Sequence, residues 1–227
     1  MARRWLGGVP ALVLASLALL PLRAQAVDHT GQWSFGASGG FATASAHDVN
    51  QRLDFDNLSF ASAIPHIDSF HEAGGDLRYD VDRRLAFEGR VGYWWKNQSN
   101  GRFDRKVSAI PAALGVVWRP FTSDRWRIGG TAAGGVVIGA KLSGQDPLGG
   151  IDFSGTGGLA EGGVTVELAL SQSVSLEARG VGRWAVAKNV LPDGGDVNLS
   201  GVSGRAGLRF YFRARRPAAP TPGVSAP

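Results

Sequence analysis

The run His66-Ile67-Asp68-Ser69-Phe70-His71 brings two imidazoles, a carboxylate and a hydroxyl into one short segment. These are the residue types that a general base and an activated nucleophile require. Such chemistry also needs fixed hydrogen-bond geometry. The run falls in the longest connection of the chain, 43–71, where a solvated loop carrying polar residues accounts for it. A second cluster, Asp193-Gly194-Gly195-Asp196-Val197-Asn198, offers oxygen ligands to a hard cation such as calcium. It lacks the rest of a calcium-loop spacing and a closing bidentate Glu, so a Gly-rich turn is the simpler reading. The chain has no cysteine and no phosphate-binding loop, which excludes a disulfide framework and Cys-ligated zinc. No catalytic, metal or cofactor site is expected. The chemistry that remains lies in charges spread along the chain.

Those charges must be placed by elements. Residues 1–26 read as a secretory signal: Arg3 and Arg4 lead an apolar stretch from Leu6 to Leu22, and Ala24-Gln25-Ala26 supplies a small-x-small cleavage site. Its removal takes Arg3, Arg4 and Arg23 and leaves 21 basic against 19 acidic residues, a net +2 in place of +5. The basic balance that would suggest a nucleic-acid partner goes largely with it. Beyond residue 27 helix signals are nearly absent, and no apolar run is long enough to span a membrane as a helix. Residues 213–227 are basic at Arg213, Arg215 and Arg216, then rich in Pro and Ala, and read as a disordered tail.

Residues 27–212 carry eight alternating stretches between turn signals, near 32–42, 72–81, 85–96, 108–119, 126–141, 160–170, 174–185 and 201–212. Alternation over ~10 residues is the pattern of transmembrane barrel strands. The connections alternate too: tight turns near 81–85, 120–124 and 171–173, longer segments at 43–71, 97–107, 142–159 and 186–200. Within the stretches, seventeen charged residues all fall on the face opposite the apolar set: Glu72, Asp76, Arg78, Asp80, Glu88, Arg90, Lys96, Arg119, Arg127, Lys141, Glu161, Glu167, Glu177, Arg179, Arg183, Arg205 and Arg209. Choosing a register on each of seven strands uses up seven of them. The others would agree by chance about once in a thousand.

Two-faced strands suit a soluble barrel with an apolar core as well as a membrane barrel turned inside out. Three features favour the second. The charged face mixes signs, as a lumen filled by ion pairs would. Trp33, Phe35, Tyr79, Phe87, Trp118, Trp126, Phe210 and Phe212 fall at one set of strand ends and Phe41, Tyr93, Trp95 and Trp184 at the other, matching two interfacial girdles. The last stretch, Arg205-Ala206-Gly207-Leu208-Arg209-Phe210-Tyr211-Phe212, has a Gly and then alternate aromatics at its end.

With that ending, the chain resembles the small eight-stranded outer-membrane β-barrels of the OmpA/OmpX-like type. The resemblance covers nearly all of the mature chain and specifies architecture rather than activity. It implies an all-β, eight-stranded antiparallel up-and-down barrel in a Gram-negative outer membrane, with periplasmic termini, surrounded by outer-membrane lipid and lipopolysaccharide. It also implies that Gly207, Phe210 and Phe212 form the signal read by the barrel-assembly machinery. Here Phe212 is not the terminus, a departure from that pattern.

Eight strands leave an interior just wide enough for side chains to fill. Asp76, Arg78, Glu88, Arg90, Arg127, Glu167, Glu177, Arg179, Arg205 and Arg209 are therefore expected to form a paired lumen network. On the outer face Leu168 is expected near mid-strand, with Thr165 facing inward as its tolerant counterpart. Three functional readings stand. One is a non-enzymatic, monomeric structural or surface-interaction protein whose segment 43–71 meets an extracellular partner. The second is a small pore or hydrophobic-compound transporter, which needs a gap in the plug or a lateral opening. The third is a lipid-modifying enzyme using His66 or His71.

Overall fold

Small and β-branched residues alternating with charges leave little for a helix to bury, and the chain folds almost wholly into strands. The computed structural model describes residues 28–45, 47–60, 65–99, 104–146, 149–191 and 194–212. The expected signal segment and C-terminal tail lie outside the described residues. The elements are β1 (Gln32–Thr43), α1 (His47–Phe60), β2 (Ser69–Asp80), β3 (Leu85–Ser99), β4 (Asp104–Thr122), β5 (Trp126–Asp146), β6 (Gly149–Ala169), β7 (Val174–Lys188), β8 (Val197–Asn198) and β9 (Gly201–Tyr211). Seven consecutive strands and β9 pair antiparallel, and β1 joins β9, so the sheet closes on itself. The two-residue β8 extends the line of β9 along β7.

The register fixes the barrel's shape. Stepping across partners from Ser34 passes Arg78, Glu88, Gly115, Ala133, Glu161, Arg183 and Gly201, and the β1–β9 register continues to the level of Ala44. A stagger of that size tilts the strands by about 40° and leaves an interior that side chains fill. The glycine at position 207 serves the closing seam: a Cβ there would meet the Ala37 carbonyl oxygen at 2.0 Å.

The outward face is apolar and the inward face polar. Leu114, Phe41 and Val164 are exposed by 76%, 65% and 62%, whereas Arg78 and Arg209 are 1% exposed. The expected register holds for the charged set with one exception. Lys141 points outward, while Ala140 and Leu142 are buried. A bulge at Gly139, with φ 56°, puts an extra residue into β5 and reverses the parity beyond it.

Further expectations are corrected. Segment 43–71 is not a plain loop: it contains α1, whose Val49 and Leu53 are one turn apart and buried, and Asn50 clasps Ile67 through both backbone groups. Strand β2 also begins earlier than expected, at Ser69. And β4, β5 and β6 run for 19, 21 and 21 residues, where ~10 suffice to cross a bilayer. Leu168, paired with Trp126 and Leu176, thus sits at the short-turn end of β6 rather than mid-strand.

The interior has two storeys. Charges fill the half nearer the short turns. Above them lies an apolar cluster including Trp94, Val107, Val137, Leu142, Leu159, Ala185 and Leu199, closed by Val49 and Leu53 of α1 and by Ile67.

Candidate functional site

Strand parity delivers every expected network residue to the lumen, and the tilt stacks them within reach across the barrel. Arg78 is the hub: its Nη2 donates to Glu177 at 2.8 Å and Glu88 at 3.2 Å, and its Nη1 to Glu167 at 3.4 Å. Arg209 donates to Asp76 at 2.6 Å, Glu177 at 2.9 Å and the Ser34 hydroxyl at 3.1 Å. Arg179 grips both Glu88 oxygens at 2.6 Å and also bonds Glu177. Bidentate grips of this kind are the strongest form of Arg–carboxylate pairing. Arg127 donates to Glu167 at 3.1 Å and to the Tyr211 hydroxyl at 2.9 Å, and that hydroxyl donates in turn to Glu167 at 2.5 Å.

Above this knot, Arg90 and Arg205 share Glu161, and Arg183 reaches Glu72 at 3.3 Å. The Arg183 guanidinium also lies 3.9 Å over the Trp94 ring, which forms the boundary between the charged and apolar storeys. The network extends to Arg119–Asp80, Glu72, Glu161, Arg183, Ser34, Ser175 and Tyr211. The hydroxyl partners carry no sequence signal, because a Ser or Tyr on an alternating strand reads equally well on either face.

At the short-turn end the floor is His29, whose ring stacks on Tyr211 at 3.5 Å with 5° between planes. Burial and the nearby Arg127 guanidinium hold His29 below the ordinary histidine range. Asp28 is fixed beside it by the Thr30 hydroxyl and amide and by Arg83, which lowers its carboxyl to about 2.

The His66–His71 run does not assemble a catalytic set. His66 Nε2 lies 2.7 Å from Asp54 on α1, not against Asp68. His71 faces outward between Phe41 and Trp95, as part of an aromatic girdle. The Ser69 hydroxyl accepts from Lys96 at 3.4 Å. Hydrogen bonding to Asp54 raises the His66 pKa above its ordinary value. The pair therefore stabilises at pH below the ordinary histidine value and is lost as pH rises through the raised one. In an NMR titration Asp54→Asn should return His66 to the ordinary range; an unmoved midpoint would show that the contact does not form.

In the second cluster, Asp193 lies outside the described residues. The Asp196 carboxylate accepts from the Asn189 amide at 3.3 Å across the turn that contains Gly194, and the Asn198 side chain accepts from the Ser200 amide at 2.9 Å between β8 and β9, so each is used in holding its own backbone. Phe210 and Phe212 face outward at the short-turn end, 42% and 52% exposed.

An apolar outer belt, a charged interior and a closed ladder define an integral outer-membrane β-barrel. The chain belongs to the outer membrane protein beta-barrel domain family, whose pattern it matches over residues 12–210. Among solved structures it is similar to Neisserial surface protein A, at 16% identity and a TM-score of 0.52, covering 81% of this chain and 98% of that one. It also aligns with OprG from Pseudomonas aeruginosa, at 11% identity and a TM-score of 0.47 over 84% of this chain and 100% of that one. Ail from Yersinia pestis aligns at 11% identity and a TM-score of 0.47 over 80% and 97%. At these identities the first likeness speaks for the fold alone. No curated protein sequence matches the chain.

Proposed function

We propose that this barrel is a non-enzymatic, monomeric protein closed along its axis, which works through what it holds above the outer membrane. The filled interior carries this reading. The cavity among the charges is about 40 Å³, room for about three waters, and the apolar storey with α1 lies between it and the outside. The lengths of β4, β5 and β6 raise the sheet well beyond the bilayer, and α1 offers Phe55 and Leu58, 58% and 86% exposed, to an extracellular partner. Gly207, Phe210 and Phe212 would serve the assembly machinery at the periplasmic end. Single-channel recording of the refolded mature protein in a planar bilayer tests the closure, with heat-modifiable gel mobility as the folding control. A folded, silent barrel is the expected result. Reproducible conductance steps would overturn the reading and put a pore in its place.

A further inference from the structure

The part of the sheet that rises above the bilayer ends in a free edge. Strands β5 and β6 stay paired to their tips, from Ala140–Gly155 to Asp146–Gly149. On its other side β6 keeps β7 only as far as Thr156–Lys188. The cause is local. Asn189, directly after β7, has φ 58°, and the turn it starts brings the Val190 and Leu191 amides back to the Gly195 carbonyl. The chain thus doubles back to pair β8 with β7, and residues 149–155 keep a partner strand on one side alone. Alternate residues of an antiparallel strand bond to opposite sides. Every second N–H and C=O of this stretch therefore points away from β5, and none of these has a partner among the described residues.

The edge stands clear of the membrane. Trp184 of the outer girdle pairs with Ala160, five residues below Gly155. At a rise of ~3.3 Å per residue and a tilt of about 40°, that places Gly155 about 13 Å beyond the aromatic belt.

Protein edges are commonly blunted by Lys, Pro or a bulge. The run Gly149-Gly150-Ile151-Asp152-Phe153-Ser154-Gly155 has neither Lys nor Pro, and its register with β5 is unbroken. Its one charge, Asp152, is on the outer face, where Lys141 of β5 meets it at 2.9 Å and leaves its side chain 66% exposed. Phe153 is in register with buried Leu142 and belongs to the inner face. Val190 marks the foot of the edge: a Cβ on Gly155 would meet its Cγ2 at 2.7 Å.

We propose that this edge is a docking site for an extended peptide segment of an extracellular partner, which adds a strand to β6 along residues 149–155. Main-chain bonds supply the affinity and the two faces the selectivity. An apolar residue fits opposite Phe153, and a basic one opposite Asp152. A second copy in the same membrane does not fit. Two upright barrels are related by an axis along the membrane normal, so edges tilted by about 40° would cross at about 80° instead of sharing a sheet. The site deepens the proposed function and rests on its placing of this stretch outside the membrane.

The test is NMR amide hydrogen exchange on the protein refolded in phosphatidylcholine nanodiscs. The probe is an end-capped hexapeptide of alternating Lys and Val, and its control is the same peptide N-methylated at every residue. Without peptide, alternate amides across 149–155 should exchange fast and those between them slowly. The probe should slow the fast set, and the methylated control should not. Asp152→Lys, a change on an exposed side chain, should weaken the probe about fivefold, the worth of reversing one cross-strand charge pair. Edge amides already protected without peptide, an equal response to both peptides, or no slowing at millimolar probe would each overturn the proposal. Protection that grows with protein concentration alone would give the edge to a second copy and overturn it as well. Conductance steps from the same refolded batch, with the response to the probe intact, would remove axial closure and leave the docking site standing.

Discussion

Replacing Glu177 with Gln should lower the unfolding free energy by about 3–5 kcal/mol. The carboxylate accepts from Arg78 at 2.8 Å, from Arg209 at 2.9 Å and from Arg179, three guanidiniums in a place where water is scarce. A neutral amide leaves all three short of countercharge, and removal of one member of a buried pair costs far more than the pair contributes in net stability. Arg78→Met should do similar damage from the other side, because Glu88, Glu167 and Glu177 then face one another. The double variant should cost less than the sum of the two. Urea titration of the protein reversibly folded in lipid vesicles measures each value. A loss below about 1 kcal/mol for Glu177→Gln would mean that solvent reaches the knot and that the lumen is wetter than its packing indicates.

Val164→Arg should cost about 2–4 kcal/mol in the same titration, the penalty of a cation on the lipid face near the bilayer midplane. Val164 is 62% exposed on the apolar face, on the side of Leu168 away from the short turn. Leu168 was the expected site for this substitution, but beside Trp126 an arginine can reach the interface, and the effect there should be small. The inward comparison also changes. Thr165 is 2% exposed and pairs in register with Arg179, so an arginine there would meet a cation in filled space. Thr165→Val is the informative change. The hydroxyl has no hydrogen-bond partner, and replacing it with a methyl of the same shape should leave stability unchanged or raise it. Equal losses for Val164→Arg and Thr165→Val would contradict the inside-out arrangement.

Charge was the legible part of this sequence. A charged residue on an alternating strand declares its face, and all the expected lumen residues reached the lumen. Lys141 failed because a bulge is a matter of one added residue, and among the glycines from Gly129 to Gly144 nothing marks Gly139 as the one with positive φ. The apolar storey was hidden for a different reason. Where the lipid face and the interior are both apolar, as along Val136-Val137-Ile138, alternation vanishes and the inward member cannot be told from its neighbours. Helix α1 left almost no trace, since two buried residues and the Asn50–Ile67 clasp hold it, with no continuous apolar stripe to see. Its stability comes from the barrel it covers.

The arrangement of the lower storey also bears on how the chain enters a bilayer. Glu177 on β7 draws two of its three arginines from β2 and β9, Glu161 on β6 takes its pair from β3 and β9, and Glu72 on β2 reaches β7, across separations of up to 111 residues. Some pairs lie within one hairpin, Arg78–Glu88 on β2 and β3 and Arg127–Glu167 on β5 and β6, but Glu177, Glu161 and Glu72 take arginines that only the closed sheet brings to them. Partly inserted intermediates would present bare ions to hydrocarbon, so they should not accumulate, and insertion becomes one concerted closure limited by its most distant pairings.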